Sequence, residues 1–369
     1  MQIKGGYMKK LLVYLMLVVA AAKINSAPVY YHGAYDGDGT RAQGLDWVHP
    51  HCGDTIDTVL VTAIASTDVY YLKTGVFTFT GGANFSSRDG LTTGSIKVIG
   101  VKSSTTNIGA SITSSDWIVN HDTANMPHIN LIGMTWQCGD YYQFYNLFFI
   151  GDSLQILNVA GIGCYFENCV FHQTGSAAAN RACVYANSGK ATFENCLFLS
   201  DNAAGIRMGS NWVLNVYNSK FDGIDNATYG YCIITGTNYL RVIDNEFKNF
   251  KYGINIASND IIDIFNNQFY KGDTAVISTD GNNVFCKNNI IDSTKVGFKW
   301  STSGIDDNKF KCNHQGRNVI DMYVGIDESA TSQDYELITD PPIYKNEPDS
   351  LIQTNVSGGY QKAKGLGIW

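Results

Sequence analysis

A pattern of about 22 residues recurs through the middle of the chain, and few folds accommodate it. The segments FENCVF (166–171), FENCLF (193–198), VYNSKF (216–221), VIDNEF (242–247) and IFNNQF (264–269) share one layout. FYNLFF (144–149), CKNNII (286–291) and IDDNKF (305–310) follow it more loosely. The recurring polar residue is Asn146, Asn168, Asn195, Asn218, Asp244, Asn266, Asn288 and Asp307, with gaps of 22, 27, 23, 26, 22, 22 and 19. A second element lies between these anchors, with first inward residues Ile206, Cys232, Ile254, Val276 and Phe298. From there to the next anchor strand is eight residues each time, as in Cys232 to Leu240. Each element alternates apolar and polar with period two, so each is a strand. Three short strands per repeat make one coil of a parallel β-solenoid.

The expected fold is therefore all-β: one parallel β-helix of about nine to ten coils, a rod of about 45 Å at about 4.8 Å per coil. The anchor residues are expected at a bend, side chains inward, as a structural ladder of stacked amides. Phe171, Phe198, Phe221, Phe247 and Phe269 should form an aromatic stack in the core. Cys164, Cys183, Cys232 and Cys286 fall on inward positions and act as small hydrophobes. Cys169 and Cys196 share one site on successive coils and could pair if geometry allows.

The expected boundaries are a signal peptide over 1–22, an N-terminal cap and first coils over 23–94, the β-helix over 95–312, and a C-terminal cap and extended tail over 313–369. Lys9 and Lys10 precede an apolar run from Leu11 to Ala22, which reads as a secretory signal cleaved after Ala22. An uncleaved apolar arm docking on a neighbouring subunit is the alternative. The run is too short for a comfortable membrane span, so no stable span remains after cleavage. After Cys312 the period is expected to fail.

Composition narrows the function. The 369 residues carry 16% charged side chains and a net charge of −7. An acidic chain is a poor holder of phosphate backbones, so nucleic acid is not an expected partner. The nine cysteines show no zinc-like CxxC spacing, and His49, His51 and Cys52 lack two further spaced ligands.

The repeat resembles that of the pectin-lyase-like right-handed β-helix superfamily. The opening is similar too: HGAYDGDGT (32–40), DTIDTVLVTAIA (54–65), DVYYLKTGVFTF (68–79) and SIKVIGV (95–101) resemble its capped entry and first core strands. INLIGMTW, YQFYNLFFIG and CYFENCVF are also similar to β-helix proteins among phage structural proteins. The resemblance covers roughly residues 30–312. It implies fold strongly and chemistry weakly, because the superfamily holds lyases, hydrolases, adhesins and phage spikes.

Chemistry would sit on outward positions of the anchor strand. One column runs Tyr165, Thr192, Asn215, Arg241, Asp263, Phe285, and the other Glu167, Glu194, Tyr217, Ile243, Phe265, Lys287, Asp306. Glu167 and Glu194 on successive coils should lie about 5 Å apart, the separation used by retaining glycosidases. Their oxygens would also suit calcium, the one cofactor worth testing. Arg241 and Asp263 should form an exposed ion pair. The resemblance to lyases implies a basic residue that abstracts a proton beside a uronate carboxylate, and Arg241 or Lys287 could fill that role. GIDDN (304–308) superficially resembles the paired aspartates of polygalacturonase-type hydrolases, with only Asp306 outward. Tyr165, Tyr217, Phe265 and Phe285 form an aromatic stripe suited to sugar faces or to a subunit interface. The reading is a secreted, periplasmic or virion-surface β-helix with a structural or glycan-binding role. The alternative is a lyase or hydrolase of acidic polysaccharide. Expected partners are a polysaccharide or cell-surface glycan and a homo-oligomer such as a trimer.

Overall fold

The computed structural model describes the strand Val29–Tyr31 and, apart from short segments, residues 69–325. Residues 1–28, 32–68, 79–95, 107–111, 301–309 and those beyond 325 lie outside the described residues, as does Cys312. The expected signal peptide over 1–22, the capped entry over 32–65, His49, His51, Cys52, Asp306, Asp307 and the expected C-terminal tail beyond 325 fall there.

Among the described residues, strands stack in parallel along the whole rod. One sheet has 11 strands, from Val29–Tyr31 and Val69–Lys73 through Ile162–Glu167 to Asn283–Lys287 and Phe310–Lys311. A 16-stranded sheet forms the remaining sides. In early coils those sides are separate strands, such as Val170–Gln173 and Ala182–Ala186, because an insertion parts them. In later coils the insertion is gone and they fuse into the 11-residue strands Glu246–Ile256, Gln268–Ser278 and Ile290–Trp300.

The phenylalanine stack forms as the alternation predicts. Ring centroids lie 4.9 Å apart for Phe171–Phe198, 4.5 Å for Phe198–Phe221, 4.9 Å for Phe221–Phe247 and 4.7 Å for Phe247–Phe269. One column beside it must stay small. A Cβ on Gly205 would come within 2.8 Å of the Phe221 ring, and one on Gly253 within 2.8 Å of Phe269. Cys232 belongs to this small column. The residue aligned with Ile206 and Ile254 is Ile233, not Cys232. The step to Leu240 is therefore seven residues in that coil, one fewer than the uniform spacing anticipated.

The ladder sits one residue later than the alternation predicts. Asn146, Asn168, Asn195, Asn218, Asp244, Asn266 and Asn288 all have positive φ, between 45° and 60°. Asn and Asp tolerate this left-handed region better than other non-glycine residues. The corner breaks the period-two alternation and turns the following residue inward. The buried column is Cys169, Cys196, Ser219, Asn245, Asn267, Asn289 and Asn313. Asn245 Nδ2 donates to Asn267 Oδ1 at 3.0 Å, Asn267 Nδ2 to Asn289 Oδ1 at 3.1 Å, and Asn289 Nδ2 to Asn313 Oδ1 at 3.0 Å. Each Oδ1 also accepts the backbone N–H of the rung before, as Asn267 does for Asn245 at 2.9 Å. The corner residues pair only in part, with Asn168 Nδ2 on Asn146 Oδ1 at 2.8 Å. From Asn195 onward they are half-buried, or exposed in the case of Asn218.

Cys169 and Cys196 hold ladder positions as free thiols. Each thiol donates inside the core, Cys169 to the Phe144 carbonyl and Cys196 to that of Phe166, both at 3.5 Å. Cys164, Cys183, Cys232 and Cys286 are buried as expected. Burial raises the pKa of all four thiols, which makes them inert.

The next ladder residue after Asn289 is Asn313, 24 residues on. Phe310 pairs with Cys286 and Lys311 with Lys287, so the anchor strand of that coil is Phe310–Lys311, and Asp307 lies outside the described residues. Pairing then continues past Cys312, where the period was expected to fail: Val296 aligns with Asp321 and Phe298 with Tyr323.

Two stability predictions follow from the corner geometry. Asn267→Ala strips Asn245 of two acceptor contacts and should cost about 3 kcal/mol in denaturant unfolding, whereas exposed Asn218→Ala should cost about 1 kcal/mol. Asp244 Oδ1 is buried without a partner. Burial raises its pKa, opposed by the hydrogen bond from Asn266. The folded state therefore holds that proton more tightly, and stability falls as pH rises from the ordinary aspartate range through the raised value. Asp244→Asn should be more stable by about 0.5 kcal/mol at neutral pH, a small figure because the corner is half-exposed. That gain should vanish in melts at a pH below the ordinary aspartate range.

Candidate functional site

The outward face of the 11-stranded sheet places the described members of both predicted columns as expected. Tyr165 aligns with Thr192, Thr192 with Asn215, Asn215 with Arg241, Arg241 with Asp263, and Asp263 with Phe285. In the second column Glu167 aligns with Glu194, Glu194 with Tyr217, Tyr217 with Ile243, Ile243 with Phe265, and Phe265 with Lys287. Lys287 aligns in turn with Lys311. Asp306, the last residue expected in this column, lies outside the described residues.

Two clusters emerge. The first joins Glu167 and Glu194 through Tyr165, whose hydroxyl lies 3.0 Å from Glu167 Oε2 and 2.7 Å from Glu194 Oε2. A phenol has one hydrogen, so it donates fully to only one carboxylate at a time. Burial comes first, then the two glutamates, in holding the Tyr165 hydroxyl far above its ordinary pKa. Tyr145 stands one rung before Glu167 and donates to Gln143 Oε1 at 2.8 Å. Its pKa is pushed up to about 12 by burial, then by Glu167 and Cys169.

Aromatic rings continue this cluster. Tyr145 and Tyr165 have centroids 5.8 Å apart, and Trp117 lies 5.6 Å from Tyr145. Trp117 reaches the face because its segment straps the corner. The Asp116 carbonyl accepts Lys102 N at 2.9 Å, and the Ile118 carbonyl accepts Asn168 Nδ2 at 2.8 Å. His121 Nε2 meets the Asn195 carbonyl at 2.6 Å, and Ile118 and Met126 pack with Phe148 and Val170 on the second sheet. Trp117, Gln143 and Tyr145 escaped the sequence reading. The strap lies outside the repeat, and the outward columns drawn from the repeat begin one coil later, at Tyr165 and Glu167.

The second cluster is built on Arg241. Its Nε donates to Asp263 Oδ2 at 3.3 Å, and Tyr239 donates to the same oxygen at 3.3 Å. The guanidinium carbon lies 4.9 Å from the Tyr239 ring centre. Burial pulls the Arg241 pKa down, but Tyr239, Asp263 and Tyr217 outweigh it and hold the guanidinium above its ordinary range. Arg241 is thus a charged, paired group, suited to binding more than to proton abstraction. Lys287 is exposed one rung beyond Phe265, on the same strand as Phe285.

A family model for the right-handed β-helix region matches residues 152–314. The chain is a right-handed parallel β-helix. The β-helix is similar to several solved structures. Pectate lyase Pel9A is 14% identical with a TM-score of 0.42, covering 79% of this chain and 81% of that one. The surface adhesin PfbA of Streptococcus pneumoniae is 10% identical with a TM-score of 0.36, covering 74% and 89%. The ORF18 protein of Geobacillus virus E2 is 15% identical with a TM-score of 0.35, covering 85% and 65%. No curated protein sequence matches the chain. Likeness at this level concerns architecture and carries no activity with it. Among the described residues, no helix is long and apolar enough to cross a membrane.

The cluster makes one spectroscopic prediction. In a residue-resolved NMR titration, Tyr145 should ionise only near pH 12, and Glu167→Gln should lower that midpoint while leaving it above the ordinary tyrosine value.

Proposed function

We propose that this β-helix is a glycan-binding attachment component acting outside the cell or on a virion surface. The observation that carries the reading is the run Trp117, Tyr145, Tyr165, laid along the edge of the rod and ending on Glu167 and Glu194. Sugar rings present apolar C–H faces with hydroxyls at their rims. An aromatic run fits the faces, and carboxylates accept from the hydroxyls. The platform stands on parallel strands with buried ladders beneath, so little ordering is needed on binding.

A second reading is favoured by the shared hydroxyl at Tyr165. It holds one oxygen of each glutamate within 3.0 Å of a single atom, close enough for the acid and nucleophile of a retaining glycosidase. On that reading the enzyme is a glycoside hydrolase of an acidic polysaccharide, Glu167 and Glu194 are its catalytic pair, and Tyr165 positions them.

Immobilised acidic and neutral oligosaccharides, with and without calcium, distinguish the two. Attachment predicts retention without new reducing ends, lost at least about tenfold in Tyr145→Ala and Tyr165→Ala. Hydrolysis predicts reducing ends that disappear in Glu167→Gln and Glu194→Gln while retention persists. Absence of retention and of turnover on every oligosaccharide, from a folded chain, would overturn both.

A further inference from the structure

Beyond the platform, the same sheet presents a different surface. The strands Trp212–Tyr217, Asn238–Ile243, Ile261–Phe265 and Asn283–Lys287 pair in continuous register, without a bulge. Their outward residues therefore form straight columns. The central column holds Arg241 and Asp263 one rung apart. The column on one side holds Tyr217, Ile243, Phe265 and Lys287, and the column on the other holds Tyr239 and Ile261. Ile261 is 50% exposed and Phe285 38% exposed, although both are large and apolar. An apolar face with one ion pair at its centre is the makeup of a protein interface core more than of free surface.

The order of the charges selects the partner. A partner of single charge sign would set a like charge against either Arg241 or Asp263, which is costly at an interface. A second copy of this chain meets both. Two copies placed face to face, about a two-fold axis along the strands and midway between Asn238–Ile243 and Ile261–Phe265, reverse the rung order and keep the column order. Arg241 then faces Asp263 of the other copy, and Asp263 faces its Arg241. In the same register Ile243 meets Phe265, Tyr239 meets Ile261, and Tyr217 meets Lys287, each pair occurring twice. The internal Arg241–Asp263 pair is retained, so four charges alternate in sign around the axis.

We infer that this chain forms a two-fold dimer through the outward face of residues 212–287. The dimer leaves the platform strands Tyr142–Tyr145 and Ile162–Glu167 at the two far ends of the joined faces. Tyr217, Phe265 and Phe285 are then interface residues rather than sugar contacts. The patch is small, so association should be concentration-dependent, on the order of 10 µM.

Sedimentation of the full chain from about 1 to 100 µM tests this. The expected result is a reversible monomer–dimer equilibrium. Arg241→Asp makes the central column all negative, and Asp263→Arg makes it all positive. Each variant alone should weaken association at least about tenfold, and an equimolar mixture of the two should recover it as a heterodimer. Ile243→Glu should weaken association without that rescue, and far-ultraviolet circular dichroism checks that every variant is folded. A wild-type chain monomeric throughout the range would overturn the inference. So would charge variants that associate like the wild type, or a mixture of folded variants that does not recover the dimer. Glycan retention by Tyr145 and Tyr165 is read separately, so failure of the dimer leaves the platform reading intact.

Discussion

The left-handed corner, with the inward side chain that follows it, is the constraint on which the rod depends. A parallel solenoid has to repeat one bend at one place in every coil. Asn supplies it here, because its short polar side chain tolerates positive φ where a branched residue would not. The bend then directs the next residue into the core, where an amide bridges to the rung below and accepts the backbone N–H of the rung above. A slip of one residue would break both bonds and turn the outward columns inward. Register is thus pinned chemically in the later coils. In the earlier ones Cys169 and Cys196 hold the same position through weaker thiol bonds, and the strap bonded to Asn168 and Asn195 covers the corner.

That register builds the outward face. Side chains at one strand position recur every coil, so residues 27 apart in sequence, such as Glu167 and Glu194, become neighbours beneath one tyrosine hydroxyl. The face divides by composition. Its first half is aromatic and acidic, with Trp117 brought in by the strap. Its second half is apolar around the Arg241–Asp263 pair. On the proposed readings, the two-fold dimer would hold two platforms in fixed antiparallel relation, an arrangement that favours multivalent attachment to a repeating polymer.

Much of this was legible in the residues because a repeat states its register many times over. The phenylalanine stack, the buried cysteines and the outward columns all follow from period-two alternation anchored on one motif. What escaped shows where alternation fails. The corner residue has positive φ, so the inward ladder falls on Asn245 and Asn267 rather than on Asp244 and Asn266. The ladder step from Asn289 to Asn313 is 24 residues, so a spacing of about 22 does not locate that rung. Cys232 passed for the counterpart of Ile206 because the turn before Leu240 is one residue short. Trp117 lies on a strap with no counterpart among the described residues of other coils, and no periodicity could have brought it to Tyr145.

The central claim is that stacked register makes one ligand platform of Trp117, Tyr145, Tyr165, Glu167 and Glu194. Residue-resolved hydrogen exchange with a retained oligosaccharide bound tests it most directly. The account predicts added protection in Tyr142–Tyr145, Ile162–Glu167, Gly189–Glu194 and the segment around Trp117, with little change on the second sheet. Protection confined to the second sheet, or to coils beyond Asn283–Lys287, would contradict it.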